Sequence, residues 1–134
     1  MPGYSGTPLP KKLGIKNGFR TFFVDPPPEV LAELKAALQE CEIVAGKKGS
    51  LDFAMLFSSS RVQLEKEFVR IERLLTPAGM LWVSWPKKSS GVKTDVDENI
   101  VREIGLRAGL VDVKVCAVTE IWSGLKFVRR VKDR

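Results

Sequence analysis

Histidine is absent from this sequence, and tyrosine occurs once, at Tyr4. Without imidazole the chain lacks the commonest general base near neutral pH and the commonest metal ligand. Acid–base chemistry would fall to Asp, Glu, Lys or Tyr4. Cysteine is scarce as well: Cys41 and Cys116 lie far apart, with no C-x-x-C partner. That spacing argues against a metal site and predicts two reduced, buried thiols, because free cysteine packs as a small hydrophobe. No apolar run approaches the roughly 18 to 20 residues of a membrane helix. The N-terminal M-P-G-Y-S-G-T-P-L-P lacks the charged-then-apolar layout of a signal peptide. A cytoplasmic protein with no membrane partner is expected.

Acidic residues are in deficit: 16 stand against 22 Lys and Arg, for a formal net charge of +6. Much of the excess lies near the ends, at Lys11, Lys12, Lys16 and Arg20, and at Arg129, Arg130, Lys132 and Arg134. A basic balance admits an anionic small molecule or nucleic acid as partner. A solvated surface with a frayed tail is the plainer alternative.

The remaining composition is that of a globular protein, with 134 residues, 44% apolar and 28% charged. One core is expected, so residues 1–134 form a single domain, with an extended N-terminal segment over 1–18 and a basic tail over 131–134. Thr7 before Pro8 opens a short helical turn over 8–13, ended by Gly14. F-R-T-F-F-V at 19–24 reads as a strand stopped by Asp25 and three prolines. Helical spacing of Val30, Leu34, Ala37 and Leu38 gives a helix over 29–39, and 41–45 is a short strand. L-D-F-A-M-L-F at 51–57 is nearly all apolar, the mark of a strand covered on both faces. Ser60 with Gln63 makes a capping box for a helix carrying Leu64, Phe68, Ile71 and Leu75, closed by T-P-A-G at 76–79.

A fourth strand runs over 80–85, and Thr94 with Asp97 caps a further helix with Val96, Ile100, Val101 and Ile104 inward. Gly105 and Gly109 weaken its end. Val111 to Val118 alternates as a half-buried strand, 119–124 is a turn, and 125–131 returns as the last strand. Alternating strands and helices predict a three-layer α/β domain with a mostly parallel sheet of about six strands and a C-terminal antiparallel hairpin. The gap between Ala45 and Leu51 is too short for a helical crossover, so the 41–45 strand is either a short edge strand or antiparallel.

In an open α/β sheet the ligand crevice lies at the C-terminal ends of the strands. Parallel strands would bring Asp25 and the prolines, Ser58, Ser59 and Ser60, the loop W-P-K-K-S-S-G-V-K-T-D at 85–95, and the 119–124 turn to one edge. Lys87 and Lys88 could neutralise an anion, while Ser89, Ser90, Thr94 and Ser123 could donate hydrogen bonds. Trp85 and Trp122 could stack on a planar ring. Asp25 and Glu120 could serve as bases or as helix caps. The helices after Ser60 and near Asp95 would add their free N–H groups. No complete catalytic constellation and no metal site is expected, and K-K-S-S-G-x-K-T lacks the layout of a phosphate-binding P-loop.

Leu74 to Val83, L-L-T-P-A-G-M-L-W-V, resembles the L-x-P-G-G-x-L turn of class I methyltransferases, and the following helix and hairpin match too. That resemblance covers roughly Leu51 to Arg130. It implies a Rossmann-like, methyltransferase-like fold with an S-adenosylmethionine site at the C-terminal edge. The family's glycine-rich loop is replaced here by Val24-Asp25-Pro26-Pro27-Pro28-Glu29, whose prolines present no N–H to a ligand. No strand carries an acid for a ribose unless Glu42 serves. S-adenosylmethionine is therefore disfavoured and no cofactor is assigned. Over nearly the whole chain, G-Y-S-G-T-P-L at Gly3 to Leu9, K-L-G-I-K at Lys12 to Lys16 and W-P-K-K-S-S-G-V are similar to a bacterial family of small proteins of unknown function. That similarity implies the same fold and a bacterial cytoplasm.

Three functions follow. One is a small-ligand-binding domain for an anionic or nucleotide-like molecule, without methyltransferase activity. Another is a basic adaptor for protein or nucleic acid. The third is a diverged S-adenosylmethionine-dependent enzyme.

Overall fold

The computed structural model describes residues 6–47 and 49–134. The first five residues of the expected N-terminal segment, and Lys48 in the gap between Ala45 and Leu51, lie outside the described residues. The elements in chain order are α1 (Leu9–Leu13), β1 (Arg20–Val24), α2 (Pro28–Leu38), β2 (Glu42–Ile43), β3 (Leu51–Phe57), α3 (Arg61–Glu72), β4 (Leu75–Pro86), α4 (Glu98–Arg107), β5 (Leu110–Ala117) and β6 (Trp122–Arg129). The strands form one sheet in the order β2-β1-β3-β4-β6-β5. The first four are mutually parallel, and β6 is antiparallel to both β4 and β5. β5 thus points the same way as β4.

Alternation along the central strands feeds two cores. Ala54, Leu56, Leu81, Val83 and Leu125 pack with Leu64, Phe68 and Ile71 of α3 and with Val101 and Ile104 of α4. Phe53, Met55, Phe57 and Trp82 pack on the other face with Leu9 and Leu13 of α1 and with Val30, Leu34 and Leu38 of α2. This is the three-layer, Rossmann-like α/β arrangement expected from the sequence. α1 is the helical turn expected over 8–13, stopped by Gly14 at φ 80. The indole N–H of Trp82 donates to the Leu13 carbonyl at 2.9 Å and ties α1 to the sheet.

Several elements depart from expectation for local reasons. The 41–45 strand shrinks to two residues and is parallel, pairing only with Arg20 and Thr21 at the start of β1. So short a strand needs no helix to return to the same end of the sheet. Its return loop crosses Phe22, where a Cβ on Gly46 would lie 2.6 Å from the ring. T-P-A-G at 76–79 does not merely stop α3 but belongs to β4. Leu51 pairs with Leu75 and Phe53 with Met80, so the extra residues bulge out of the ladder. Gly79 allows the close approach, since a Cβ there would stand 2.6 Å from the Leu51 carbonyl.

The basic ends are partly consumed by structure. Arg129 pairs with Glu72 at 2.6 Å and donates to the Glu72 carbonyl at 2.7 Å, with both side chains largely buried. Arg20 faces Glu42 at 3.6 Å. Cys41 and Cys116 are free thiols as expected, but only half-buried. Burial raises both thiol pKa values. Among the described residues no helix is long and apolar enough to cross a membrane, and no acid–cysteine cluster could hold a metal ion.

Candidate functional site

Hydrogen bonds link the four polar turns in series along the C-terminal edge of the parallel strands. After β1, Asp25 turns the chain in the left-handed region at φ 52 and accepts from Nε2 of Gln63 at 3.2 Å. Gln63 lies in the first turn of α3, whose N-cap Ser60 accepts from the Gln63 amide at 3.3 Å. The buried Ser58 hydroxyl accepts from the Ser60 amide at 3.1 Å and lies 3.1 Å from Gln63 Oε1. The exposed Ser59 accepts at its carbonyl from the Thr94 hydroxyl at 2.6 Å. The Lys87 amide donates to the Ile121 carbonyl at 2.7 Å, joining the loop after β4 to the β5–β6 turn. Thr119 closes that turn, its hydroxyl accepting from the Ile121 and Trp122 amides at 3.0 Å.

The amides of the two helix N-termini are not open to a ligand in the way the sequence suggested. Asp95 reaches across and accepts from the Arg61 amide at 2.8 Å, so the chain's own carboxylate occupies the start of α3. Asp97, not Thr94, caps α4, accepting from the Ile100 amide at 2.9 Å. Thr94 instead spans two loops, accepting from the Val96 amide while donating to Ser59.

Between the end of β4 and the start of α4 lies an open cleft of about 570 Å³. Trp85, Pro86, Lys87, Lys88, Thr94 and Ser123 line it, together with Val92, Asp95, Val96, Asp97 and Glu98. Two ammonium groups and three carboxylates therefore share one opening above a Trp85 that is only 6% exposed. Among the described residues, Asp25, Ser58, Ser59, Ser60, Ser89, Ser90, Glu120 and Trp122 do not line this cleft. Ser90 turns its hydroxyl onto the Lys87 carbonyl at 2.6 Å and shapes the short 3-10 turn over Lys88–Ser90. Ser89 and Glu120 are exposed. Trp85 packs with the α3/α4 core and Trp122 against the other core, edge-on to Phe57 at 5.3 Å, so the two indoles do not bracket one ring. Glu42 sits at the opposite end of β1 from this edge.

Asp95, Asp97 and Glu98 also line the cleft, acids that the sequence pattern presents as helix caps. Their signal was visible as T-D-V-D-E at 94–98, where acids gather before a helix.

Strand order, a parallel core, an antiparallel terminal hairpin and polar turns at one edge define a Rossmann-like domain of the methyltransferase type. Solved structures that share it include a methyltransferase from Pyrococcus furiosus, at TM-score 0.59 and 12% identity, covering 92% of this chain and 80% of that one. A TehB-like S-adenosylmethionine-dependent methyltransferase from Corynebacterium glutamicum matches at TM-score 0.54 and 12% identity, covering 96% of this chain and 90% of that one. Magnesium protoporphyrin IX methyltransferase from Synechocystis with bound S-adenosylmethionine matches at TM-score 0.57 and 12% identity, covering 85% of this chain and 71% of that one. No protein-family model matches the sequence, and no curated protein matches it either. The likeness supports the methyltransferase-like fold, while membership of the bacterial family resembled by the motifs gains no support.

These comparisons correct one expectation. The proline loop by itself disfavours S-adenosylmethionine, yet solved structures of this fold include complexes with S-adenosylmethionine and with S-adenosylhomocysteine.

Proposed function

We propose that this chain is a binding domain for S-adenosylmethionine or a close S-adenosyl relative, held in the β4–α4 cleft. The observation that carries this reading is the meeting of Lys87 and Lys88 with Asp95, Asp97 and Glu98 around one opening. Asp95 and Asp97 each accept a backbone amide and Glu98 pairs with Arg102 at 2.8 Å, so the acids offer a guest acceptor oxygens beside the two lysines. A zwitterion bearing an ammonium, a sulfonium and a carboxylate finds both signs it needs. Val92, exposed on the cleft wall, supplies apolar surface that an adenine or a methylthio group would cover. The volume of about 570 Å³ falls in the ordinary range for small-molecule sites.

Calorimetric titration with S-adenosylmethionine and S-adenosylhomocysteine tests the reading. Both should bind, and Lys87→Ala with Lys88→Ala should weaken binding about tenfold or more, some 1.4 kcal/mol. Failure of the parent to bind either compound, or equal affinity in the double variant, would overturn it. Methyl transfer is a separate measurement, made with the parent protein and candidate acceptors.

A further inference from the structure

The face of the sheet covered by α1 carries a second concentration of charge. A cavity of about 460 Å³ between α1 and β5 is lined by Thr7, Lys11, Lys12, Lys114, Val115, Cys116 and Ala117, with no carboxylate among them. Lys126 stands directly opposite Lys114 across the β5–β6 ladder. Like charges in that position repel and cost stability. Lys16 adds a further positive charge felt by Lys126.

A bulge creates this arrangement. Strict alternation would put Asp112 and Lys114 on the same face of β5. Instead the register shifts between them, with Asp112 opposite Phe127 and Lys114 opposite Lys126. Asp112 then pairs with Arg102 of α4 at 3.0 Å, while Lys114 reaches the other way and donates to the Lys12 carbonyl of α1 at 2.8 Å. The acid that could have neutralised the lysines is thereby moved to the opposite face. Among the described residues Lys11, Lys16, Lys114 and Lys126 enter no ion pair. None of the residues at 1–5 and 48 is acidic either.

Lys12 is largely buried, and its ammonium donates to the Ala117 carbonyl at 3.1 Å, which fixes one charge at the cavity. Capping of the α1 C-terminus accounts for the Lys114 bond to the Lys12 carbonyl. The Lys126 ammonium stands at the same end of α1, where its Nζ would lie 3.6 Å from a Cβ on Gly14, so two lysines of the hairpin converge on one short helix. Ammonium groups are compact charges suited to phosphate, and Thr7 adds a hydroxyl.

We propose that the α1–β5 cavity is a second site, which takes a phosphate or diphosphate group through Lys11, Lys12 and Lys114, with Lys126 adding its charge from across the ladder. It lies on the opposite face of the sheet from the core that Trp85 joins, so its success or failure is independent of the S-adenosyl reading. The probe is inorganic pyrophosphate, titrated into the full chain in phosphate-free buffer of low ionic strength. Pyrophosphate should raise the melting temperature beyond sodium chloride of equal ionic strength. Lys126→Gln should melt no lower than the parent without the anion, because a repulsion is removed, yet bind pyrophosphate about tenfold or more weakly. Lys87→Ala with Lys88→Ala should leave the pyrophosphate response unchanged.

A parallel arm uses a short single-stranded RNA. Displacement of bound RNA by pyrophosphate would assign the phosphate to a nucleic-acid backbone, and pyrophosphate binding alone would assign it to a free phosphorylated compound. A response no larger than that to sodium chloride, or an affinity unchanged in both Lys126→Gln and Lys114→Gln, would overturn the proposal.

Discussion

At Gly105 the α4 backbone passes so close to Phe127 that a Cβ would collide with the ring, which is fully buried. The sequence makes Gly105 look like the frayed end of a helix, yet the helix continues to Arg107. Glycine is needed there for space. Gly105→Ala should therefore lower stability by about 1–3 kcal/mol despite alanine's better helix propensity, as overpacking of a filled core does. Denaturant unfolding checks this, and a stabilised variant would refute the packing argument. Lys126 carries a pH signature. Burial first, then Lys114 and Lys16, hold its pKa below the ordinary lysine value. In the alkaline window below about 10.4 the unfolded chain then binds more protons than the folded one, so this residue adds stability as the pH rises. The stability gap between Lys126→Gln and the parent should narrow as the pH rises towards the ordinary lysine value of about 10.4. A gap that stays constant would show that the lysine is not strained by its neighbours. The two thiols, whose pKa values shift upward, act in the reverse sense and cancel in this difference.

Among the elements, α3 and α4 share a core, and Asp95 in the loop before α4 adds a direct tie to the start of α3. Asp95→Ala removes the acceptor for the Arg61 amide and should cost about 1 kcal/mol, as loss of a helix cap does. It should also weaken S-adenosylhomocysteine binding, because Asp95 lines the cleft. Unchanged stability in thermal unfolding would count against that coupling. The helices and central strands are legible in the sequence because each has its own pattern: Leu64, Phe68 and Ile71 on α3, and the nearly all-apolar run of β3. Periodicity failed where the backbone leaves it, at the T-P-A-G bulge of β4 and at Val113 in β5. A local pattern carries no mark of which neighbouring strand will skip a residue. The length of β2 escaped for a similar reason, since pairing with β1 alone limits it to two residues.

Over the whole molecule, placing polar turns at one sheet edge needed only the strand directions, and those followed from the alternation of strands and helices. Which side chains open into a cleft did not follow. Ser90, Ser60 and Thr94 are used by their own loops, and Asp95 satisfies a helix that the sequence left open to a ligand. Polar residues before helices satisfy backbone donors first, and what remains for a guest depends on distances between loops remote in sequence. The basic ends divide likewise between structure, at Arg129 and Arg20, and the charged cavity beside α1.

The bulge at Val113 also bears on solubility. β5 is the outermost strand, with Val113 and Val115 each more than half exposed, and a flat strand of that kind invites neighbouring molecules to add to it. The extra residue twists that border out of register, so the same irregularity that turns Lys114 towards α1 also discourages the protein from growing into stacked sheets with its own copies.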